Sequence, residues 1–297
     1  MTLATLFAAV SIAFPPEGAQ LPYLERCYVM GAADEGEENC ELRIVNYECR
    51  VKVGRTGAWA TVVDVKPGTN VVEVGGVRRF FTIAPIAPIA PKKTYTKLEY
   101  AADQAKPHPD GKRPEEITVV IDAGHGGHDT GAMSPHGLPE KDANLRLAKA
   151  VRNELVKRGY KVVMTREDDT FVELYDRPKV AHRADADLFV SIHHNAPGYA
   201  SNPFAIRSQS VYAWNALGER LAKAINVRMA AADPSLPNDG VLHANFAVTR
   251  NPEIPSCLIE ADFITHPDGE CAAWDASRRP GVAAAIADGV ADWVAGR

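Results

Sequence analysis

The sequence predicts an α/β fold in which a central, mostly parallel sheet is flanked by helices and is preceded by a small all-β sandwich domain. Three observations support this prediction. Short β-type runs fill the first part of the chain, prolines then recur every third residue, and strand and helix patterns alternate from residue 114 onward. The predicted organisation is a sandwich over 14–84, a linker over 85–113 and a larger domain over 114–297.

The composition is that of a folded protein large enough for two domains. The chain has 297 residues, of which 46% are hydrophobic and 24% charged. Its net charge is −5, and the sequence has no basic stripe of the kind that binds nucleic acid, so a polynucleotide partner is excluded. No apolar run approaches the ~20 residues of a membrane span, so no stable span is expected.

The first thirteen residues, MTLATLFAAVSIA, have two interpretations. A short apolar run that ends in small residues is typical of a signal peptide, cleaved here before Phe14, and this favours an extracytoplasmic, secreted protein of the periplasm or cell wall. The run contains no Lys or Arg, and a first buried strand is the alternative.

Three cysteines lie in the N-terminal part of the chain: Cys27, Cys40 and Cys49. Their spacing does not fit a zinc finger, and export would allow a disulfide among them.

Residues 14–84 predict the β-sandwich. Glycine and asparagine turn signals separate β-forming runs at intervals of roughly 8 to 12 residues. These runs are CYVMG, CRVKV, WATVVDV, NVVEV and RRFFTI. Residues 45–74 resemble small bacterial immunoglobulin-like (Ig-like) domains, so a spacer or a module that contacts the wall or a protein is expected.

The segment 85–113 predicts a stiff connector. Pro85, Pro88 and Pro91 are three residues apart, which suits a polyproline II conformation because each proline fixes φ and removes a backbone donor. A polar stretch follows and ends near residue 114. The connector therefore separates the sandwich from the larger domain.

Residues 114–297 predict alternating strands and helices. Leu147, Val151 and Leu155 are four apart on one helix face, and Gly159 ends that helix. The predicted strands are ITVVID, YKVVMTR, DLFVSIHHN, SQSVYAW and SCLIEADF, and the predicted helices are KDANLRLAKAVRNELVKRG, LYDRPKVAHRADA, NALGERLAKAINVRMAAA and a terminal helix from Pro280 to Trp293. In a parallel sheet of this kind, reactive residues are expected at the strand ends.

The stretch IDAGHGGHDTGA, residues 121–132, follows the first of these strands and has three interpretations: a phosphate loop, a turn with solvated histidines, or the rim of a metal site. A G-x-G-x-x-G frame that begins at Gly124 has Asp129 in place of the third glycine, and Pro135 and Pro139 precede the next helix. The spacing therefore excludes a nucleotide loop. The other two interpretations depend on residues elsewhere in the chain.

Histidines and carboxylates recur at the ends of other predicted elements. Glu140 lies at the start of the first helix, His193 and His194 end a buried strand, and Glu260 lies near the end of an apolar strand. A carboxylate in that position requires a partner, a metal or a chemical role. Two imidazoles and one carboxylate with a further carboxylate beside them match the needs of a catalytic zinc site.

The motifs VVIDAGHGGHDTGA, EKDANLRLAKAVRNELVKRGYKVVMTR, LYDRPKVAHRADADLFVSIHHNA and IPSCLIEADFITHPDGE resemble, in this order, the zinc-dependent N-acetylmuramoyl-L-alanine amidases of bacterial cell-wall turnover, amidase family 3. The resemblance runs from Ile117 to the C-terminus. It implies one Zn²⁺ held by His125, Glu140 and His193, with Glu260 as the catalytic general base and acid. The implied reaction is hydrolysis of the amide between N-acetylmuramic acid and the L-alanine of the peptidoglycan stem peptide by zinc-activated water.

The chain departs from the family pattern in its late motif, which usually reads Glu-x-Gly-Phe followed after two residues by Asn. Asp262 replaces the glycine and His266 the asparagine, which puts the loop geometry and the substrate fit in question. His194 stands where a small residue is common. Since neighbouring strand residues point to opposite faces, only one histidine of the pair faces the cleft, and the motif selects His193. His128 has no assigned role.

Several neighbouring residues keep two interpretations each. Asp129 would accept a hydrogen bond from a zinc-bound imidazole or stabilise a turn. Arg177 and Arg250 would contact stem-peptide carboxylates or form salt bridges within the domain. Some family members carry an insertion after the SIH strand that blocks the zinc; here only APGYASNPFAIR separates the two strands, which predicts an open site without a built-in plug.

Two functions of other classes remain as alternatives. One is a non-catalytic cell-wall binding protein, whose mark would be the loss of a ligand or of Glu260, and neither is lost. The other is a different zinc-dependent amidohydrolase or peptidase, which usually brings a His-x-x-Glu pair that this chain lacks.

Overall fold

The computed structural model describes residues 10–34, 36–44, 47–85, 108–109 and 111–296. Most of the predicted linker, including Pro88 and Pro91, lies outside the described residues, as do residues 1–9 of the predicted leader. Among the described residues, no helix combines the length and apolar character needed to cross a membrane.

The N-terminal region consists of two facing β-sheets. Its strands are β1 (Ser11–Phe14), β2 (Ala19–Leu21), β3 (Arg26–Ala32), β4 (Asn39–Ile44), β5 (Tyr47–Lys52), β6 (Ala58–Asp64), β7 (Gly68–Val74) and β8 (Val77–Ile83). One sheet has the order β1-β3-β6 and the other β2-β8-β7-β4-β5. Buried side chains such as Met30, Trp59 and Phe81 fill the space between them. Strand β1 contains Ser11–Ala13, which cleavage before Phe14 would remove.

Local sequence explains these strands. In β4 the residues alternate between exposed and buried, so Cys40, Leu42 and Ile44 face the core. Gly75 and Gly76 both adopt positive φ in the two-residue turn between β7 and β8, as tight hairpins require.

No disulfide links the five cysteines, all of which lie among the described residues. The structure therefore does not contain the disulfide that export would allow among Cys27, Cys40 and Cys49.

The larger domain has the predicted central sheet. Its elements are β9 (Thr118–Ala123), α1 (Glu140–Lys157), β10 (Lys161–Met164), α2 (Arg177–Arg183), β11 (Leu188–Asn195), β12 (Gln209–Ala213), α3 (Ala216–Ala232), β13 (Asn238–His243), β14 (Ser256–Phe263), α4 (Pro267–Trp274) and α5 (Arg279–Val294). The strand order is β10-β9-β11-β14-β12-β13. All neighbours are parallel except β12 and β14.

Helices cover both faces of this sheet. Apolar residues of α1, α3 and α5, among them Leu147, Ile225 and Ile286, form the main core against one face. A smaller cluster with Ala181 of α2, Phe189 and Leu258 covers the other face. Burial of both faces explains why β9, β11 and β14 read as continuous apolar runs.

Strand β13 and helix α4 were not predicted from the sequence. In β13, Asn238, Asp239 and Gly240 are poor strand formers, and the strand forms because it pairs with β12 at the sheet edge. Helix α4 has only eight residues, begins at Pro267 and is capped by His266, whose Nδ1 accepts a hydrogen bond from the Asp268 backbone N–H at 3.1 Å.

The connection between β11 and β12 packs against the N-terminal sheets. The Tyr28 backbone N–H donates to the Tyr199 carbonyl at 2.7 Å. The Tyr199 ring stacks on Phe14, with 5.7 Å between centroids, and lies 6.3 Å from the Tyr28 ring. This segment contains no helix, and none of residues 196–207 lines the cavity described below.

Replacing Tyr199 with Ala is expected to lower the free energy of unfolding by about 1–2 kcal/mol, because the stacked aromatic contact between the two parts of the chain is lost. Denaturant titration measures the change. Tyr23→Ala is the matched control, since Tyr23 is 37% exposed, close to the 38% of Tyr199, and its hydroxyl donates to Glu25 Oε1 at 3.3 Å on the surface. Equal destabilisation by both variants would contradict a stabilising role for the Tyr199 contact.

Candidate metal centre

Three parallel strands direct the candidate site residues to one edge of the sheet. His125 follows the carboxyl end of β9, while His193 and Glu260 lie near the carboxyl ends of β11 and β14, directly opposite each other in register. Glu140 is the first residue of α1 and is buried. The ends of parallel strands thus meet at one place, as such a sheet requires.

His125, Glu140 and His193 form a cluster, named here the His–Glu–His cluster, that could hold a metal ion. One ligand atom from each residue lies within 4.8 Å of the others. The Glu140 carboxylate bridges the two rings, with Oε2 3.2 Å from His125 Nε2 and Oε1 3.0 Å from His193 Nδ1. Both imidazoles therefore converge on one carboxylate.

Two glycines allow this close approach. A Cβ on Gly124 would lie 2.2 Å from the His193 ring, and a Cβ on Gly131 would lie 2.6 Å from Glu140 Oε2 and from the His125 ring. His125 itself has φ of +60°, an uncommon conformation for a residue with a side chain. The backbone strain and the glycines lie together at the cluster, which is typical of a functional site.

Hydrogen bonds orient the cluster. His125 Nδ1–H donates to Asp129 Oδ2 at 2.8 Å, so Nε2 faces Glu140. Asp129 Oδ1 also accepts from the Gly131 backbone N–H at 3.1 Å, so the aspartate contacts the imidazole and stabilises the turn at once. Glu140 further accepts hydrogen bonds from the Ala132 backbone N–H at 2.9 Å and from Asn144 Nδ2 at 2.9 Å.

Electrostatics differ sharply between the two glutamates. Burial raises the pKa of Glu140, but hydrogen bonds from His125 and His193 outweigh burial and hold this pKa well below its usual range. Burial, together with the charge of Glu140, raises the pKa of Glu260 well above its usual value. Burial lowers the pKa of His125, while Glu140 and Asp129 oppose it and raise that pKa to about 9.

Glu260 lies beside the cluster, and one of its carboxyl oxygens has no hydrogen-bond partner in the part of the chain that the structure describes. Its Oε2 is buried and accepts no hydrogen bond from the described residues. It lines, with His125 and His193, a cavity of about 560 Å³ that is named here the central cavity. A buried carboxyl oxygen without a hydrogen bond is costly, so its presence here points to a chemical role.

Two buried arginines, Arg166 and Arg177, support the backbone beside the cluster, and the sequence had indicated only Arg177. Arg166 donates to the carbonyls of Ala123 and Gly124 at 2.9 and 2.8 Å. Arg177 forms a salt bridge with buried Asp122 at 2.9 Å and donates to the His125 carbonyl at 2.9 Å. Arg177 therefore makes internal contacts, while Arg250 lines the central cavity.

The residues that differ from the family pattern lie away from the central cavity. Asp262 accepts hydrogen bonds from Arg207 at 3.1 and 2.9 Å, and His194 Nδ1 lies 2.8 Å from Asn144 Oδ1. Both line a separate small pocket. His266 caps α4, and the exposed His128 packs against the Phe171 ring, with 4.0 Å between the ring centroids.

Asn144, which donates a hydrogen bond to Glu140, was not predicted as a site residue. Its position could have indicated this contact, because it lies four residues after Glu140 on α1 and therefore on the same helix face.

Known proteins are similar to this chain, some over the larger domain and one over most of the chain. A sequence profile for N-acetylmuramoyl-L-alanine amidases matches residues 119–292. The N-acetylmuramoyl-L-alanine amidase AmiA of Escherichia coli (strain K12) is 34% identical over 226 residues, which are 61% of this chain and 75% of that protein. The probable cell wall amidase LytH of Staphylococcus aureus is 30% identical over 85% of this chain and 81% of its own length.

A solved structure with the same fold is that of the N-acetylmuramoyl-L-alanine amidase AmiC2 of Nostoc punctiforme. It is 34% identical in sequence and superimposes with a TM-score of 0.57, covering 60% of this chain and 97% of that chain. The matched share corresponds in size to the larger domain.

Proposed function

Because the chain belongs to the N-acetylmuramoyl-L-alanine amidase family, we propose that it works through one zinc ion at the His–Glu–His cluster and through Glu260. The enzyme is a peptidoglycan hydrolase that cleaves the amide between N-acetylmuramic acid and the L-alanine of the stem peptide. The observation that carries the proposed mechanism is that both histidines of the cluster and Glu260 line one cavity, where Glu260 Oε2 is buried and accepts no hydrogen bond from the described residues.

The residues of the cluster fit zinc by their chemistry. Two imidazole nitrogens and one carboxylate oxygen form a usual ligand set of catalytic zinc and leave a coordination position open. The bond from His125 Nδ1–H to Asp129 fixes the tautomer that presents Nε2, as partners of metal-binding histidines commonly do. Bound zinc would polarise the scissile carbonyl and lower the pKa of water.

Glu260 supplies the proton transfers in the proposed mechanism. Its carboxylate accepts a proton from the attacking water and then returns it to the departing amine of L-alanine. A raised pKa suits both steps, because a carboxyl group poised nearer neutral pH can gain and lose a proton during turnover. Arg166 and Arg177 hold the backbone of residues 123–125 in place during these steps.

We propose further that the enzyme acts outside the cytoplasmic membrane, where the wall polymer lies. The N-terminal sheets would serve as an Ig-like module that contacts the wall or a protein. Activity would need no activator protein, since the segment 196–207 does not line the central cavity.

Digestion of purified, intact peptidoglycan tests the proposed function. We expect release of stem peptides with a free amino-terminal alanine, loss of activity after chelation, and recovery on addition of Zn²⁺. Product analysis by mass spectrometry identifies the bond that is cut. Cleavage of a peptide or glycosidic bond, full activity in the chelator, or a strict need for an activator would each contradict a part of this proposal.

A further inference from the structure

The central cavity extends beyond the His–Glu–His cluster to a rim that holds the half-buried Arg250. Tyr175 and Phe246 line the same cavity and expose 66% and 38% of their surface. The cluster and Glu260 act at the scissile bond, so the remaining surface of the cavity is available for the rest of the substrate. The charge of this surface then decides which chemical groups it binds.

Of the two described arginines that line the cavity, Arg250 is the one available to a ligand. The other lining arginine, Arg177, is buried and engaged by Asp122 and by the carbonyls of Ala123 and His125. Among the residues that the structure describes, no carboxylate pairs with Arg250, whose guanidinium carbon lies 5.9 Å from the centroid of the Tyr175 ring.

The backbone at Arg250 is well supported. Arg250 directly follows a short 3-10 helix over Ala247–Thr249, in which Val248 and Thr249 are buried. The next residue, Asn251, is also buried, and its Oδ1 accepts hydrogen bonds from the backbone N–H groups of Glu253 and Ile254, each at 3.2 Å. A guanidinium on a fixed backbone with a ring beside it loses less entropy when it binds a ligand.

We infer that Arg250 binds a free carboxylate of the stem peptide. The inference rests on the proposed function, in which the substrate carries an anionic peptide next to the scissile amide. A guanidinium binds a carboxylate through two parallel hydrogen bonds, and the Tyr175 ring, over whose face the guanidinium lies, orients it. Arg250 is therefore a substrate-binding residue that selects anionic stem peptides over amidated ones.

Two soluble disaccharide peptides test this inference, one with every peptide carboxylate free and one with every peptide carboxylate amidated. Wild-type enzyme is expected to prefer the free form. Arg250→Gln should raise KM for the free form by about 10- to 100-fold, the value of a charge-assisted hydrogen bond, and leave kcat unchanged. The amidated form should be cleaved equally by both enzymes, and Arg250→Lys should keep part of the preference.

Arg183→Gln is the matched control, because it removes the same charge from an exposed position on α2 that does not line the cavity. A wild-type enzyme that cleaves both peptides equally well, or an Arg250→Gln variant that loses the same factor on both, would overturn the carboxylate site alone. Failure of wild-type enzyme to cleave either peptide would instead overturn the proposed function and this inference with it.

Discussion

Glu260→Gln is expected to lower kcat by about 100- to 10,000-fold, the usual contribution of a general acid or base. Glutamine keeps the shape of the side chain but cannot accept the proton of the attacking water. Hydrolysis of a soluble muramyl peptide measures the loss. Bound zinc should remain at one ion per chain, because Glu260 is not part of the His–Glu–His cluster.

The stability of the Glu260→Gln variant separates a chemical role from a structural one. In the wild-type protein, Glu260 Oε2 is buried, accepts no hydrogen bond from the described residues and lies near the negative charge of Glu140. Removing its charge should leave the metal-free protein as stable as wild type, or more stable, at neutral pH. Glu253→Gln, outside the central cavity, is the control and should keep full activity. A stable variant with wild-type kcat would contradict the proposed role of Glu260.

The sequence predicted the larger domain well, because its signals are local and repeated. Continuous apolar runs indicated β9, β11 and β14, and helical spacing in Leu147, Val151 and Leu155 indicated α1. The family motifs selected His125, Glu140, His193 and Glu260, and the strand order brings these four residues to one edge of the sheet.

Other features depend on long-range contacts that no local pattern encodes. Strand β13 forms only because β12 lies beside it, and Arg166 meets the carbonyls of residues 123 and 124 across the sheet. Asp262 lies within a carboxylate-rich motif, but its pairing with Arg207, 55 residues away in the chain, sets it apart from the central cavity. The contact of Tyr199 with the N-terminal sheets likewise joins distant segments.

Glu140→Gln is expected to weaken zinc binding by more than about 100-fold, since changes to residues that merely support a metal ligand already cost 10- to 100-fold. The carboxylate joins both imidazoles, and an amide brings no negative charge to the ion. Competition with a chromophoric chelator measures the affinity, and activity should fall with it. Glu154→Gln, near the other end of the same helix, where the carboxylate pairs with Lys157 and Arg158, should bind zinc as wild type does.

The two glutamate variants together distinguish binding of the ion from chemistry. Glu260→Gln should keep zinc and lose turnover, whereas Glu140→Gln should lose zinc and, because of that, turnover. Excess Zn²⁺ should then restore part of the activity of Glu140→Gln and none of that of Glu260→Gln, since only the first defect is one of affinity. Wild-type zinc affinity in Glu140→Gln would show that the carboxylate is a structural bridge between His125 and His193 instead of a ligand.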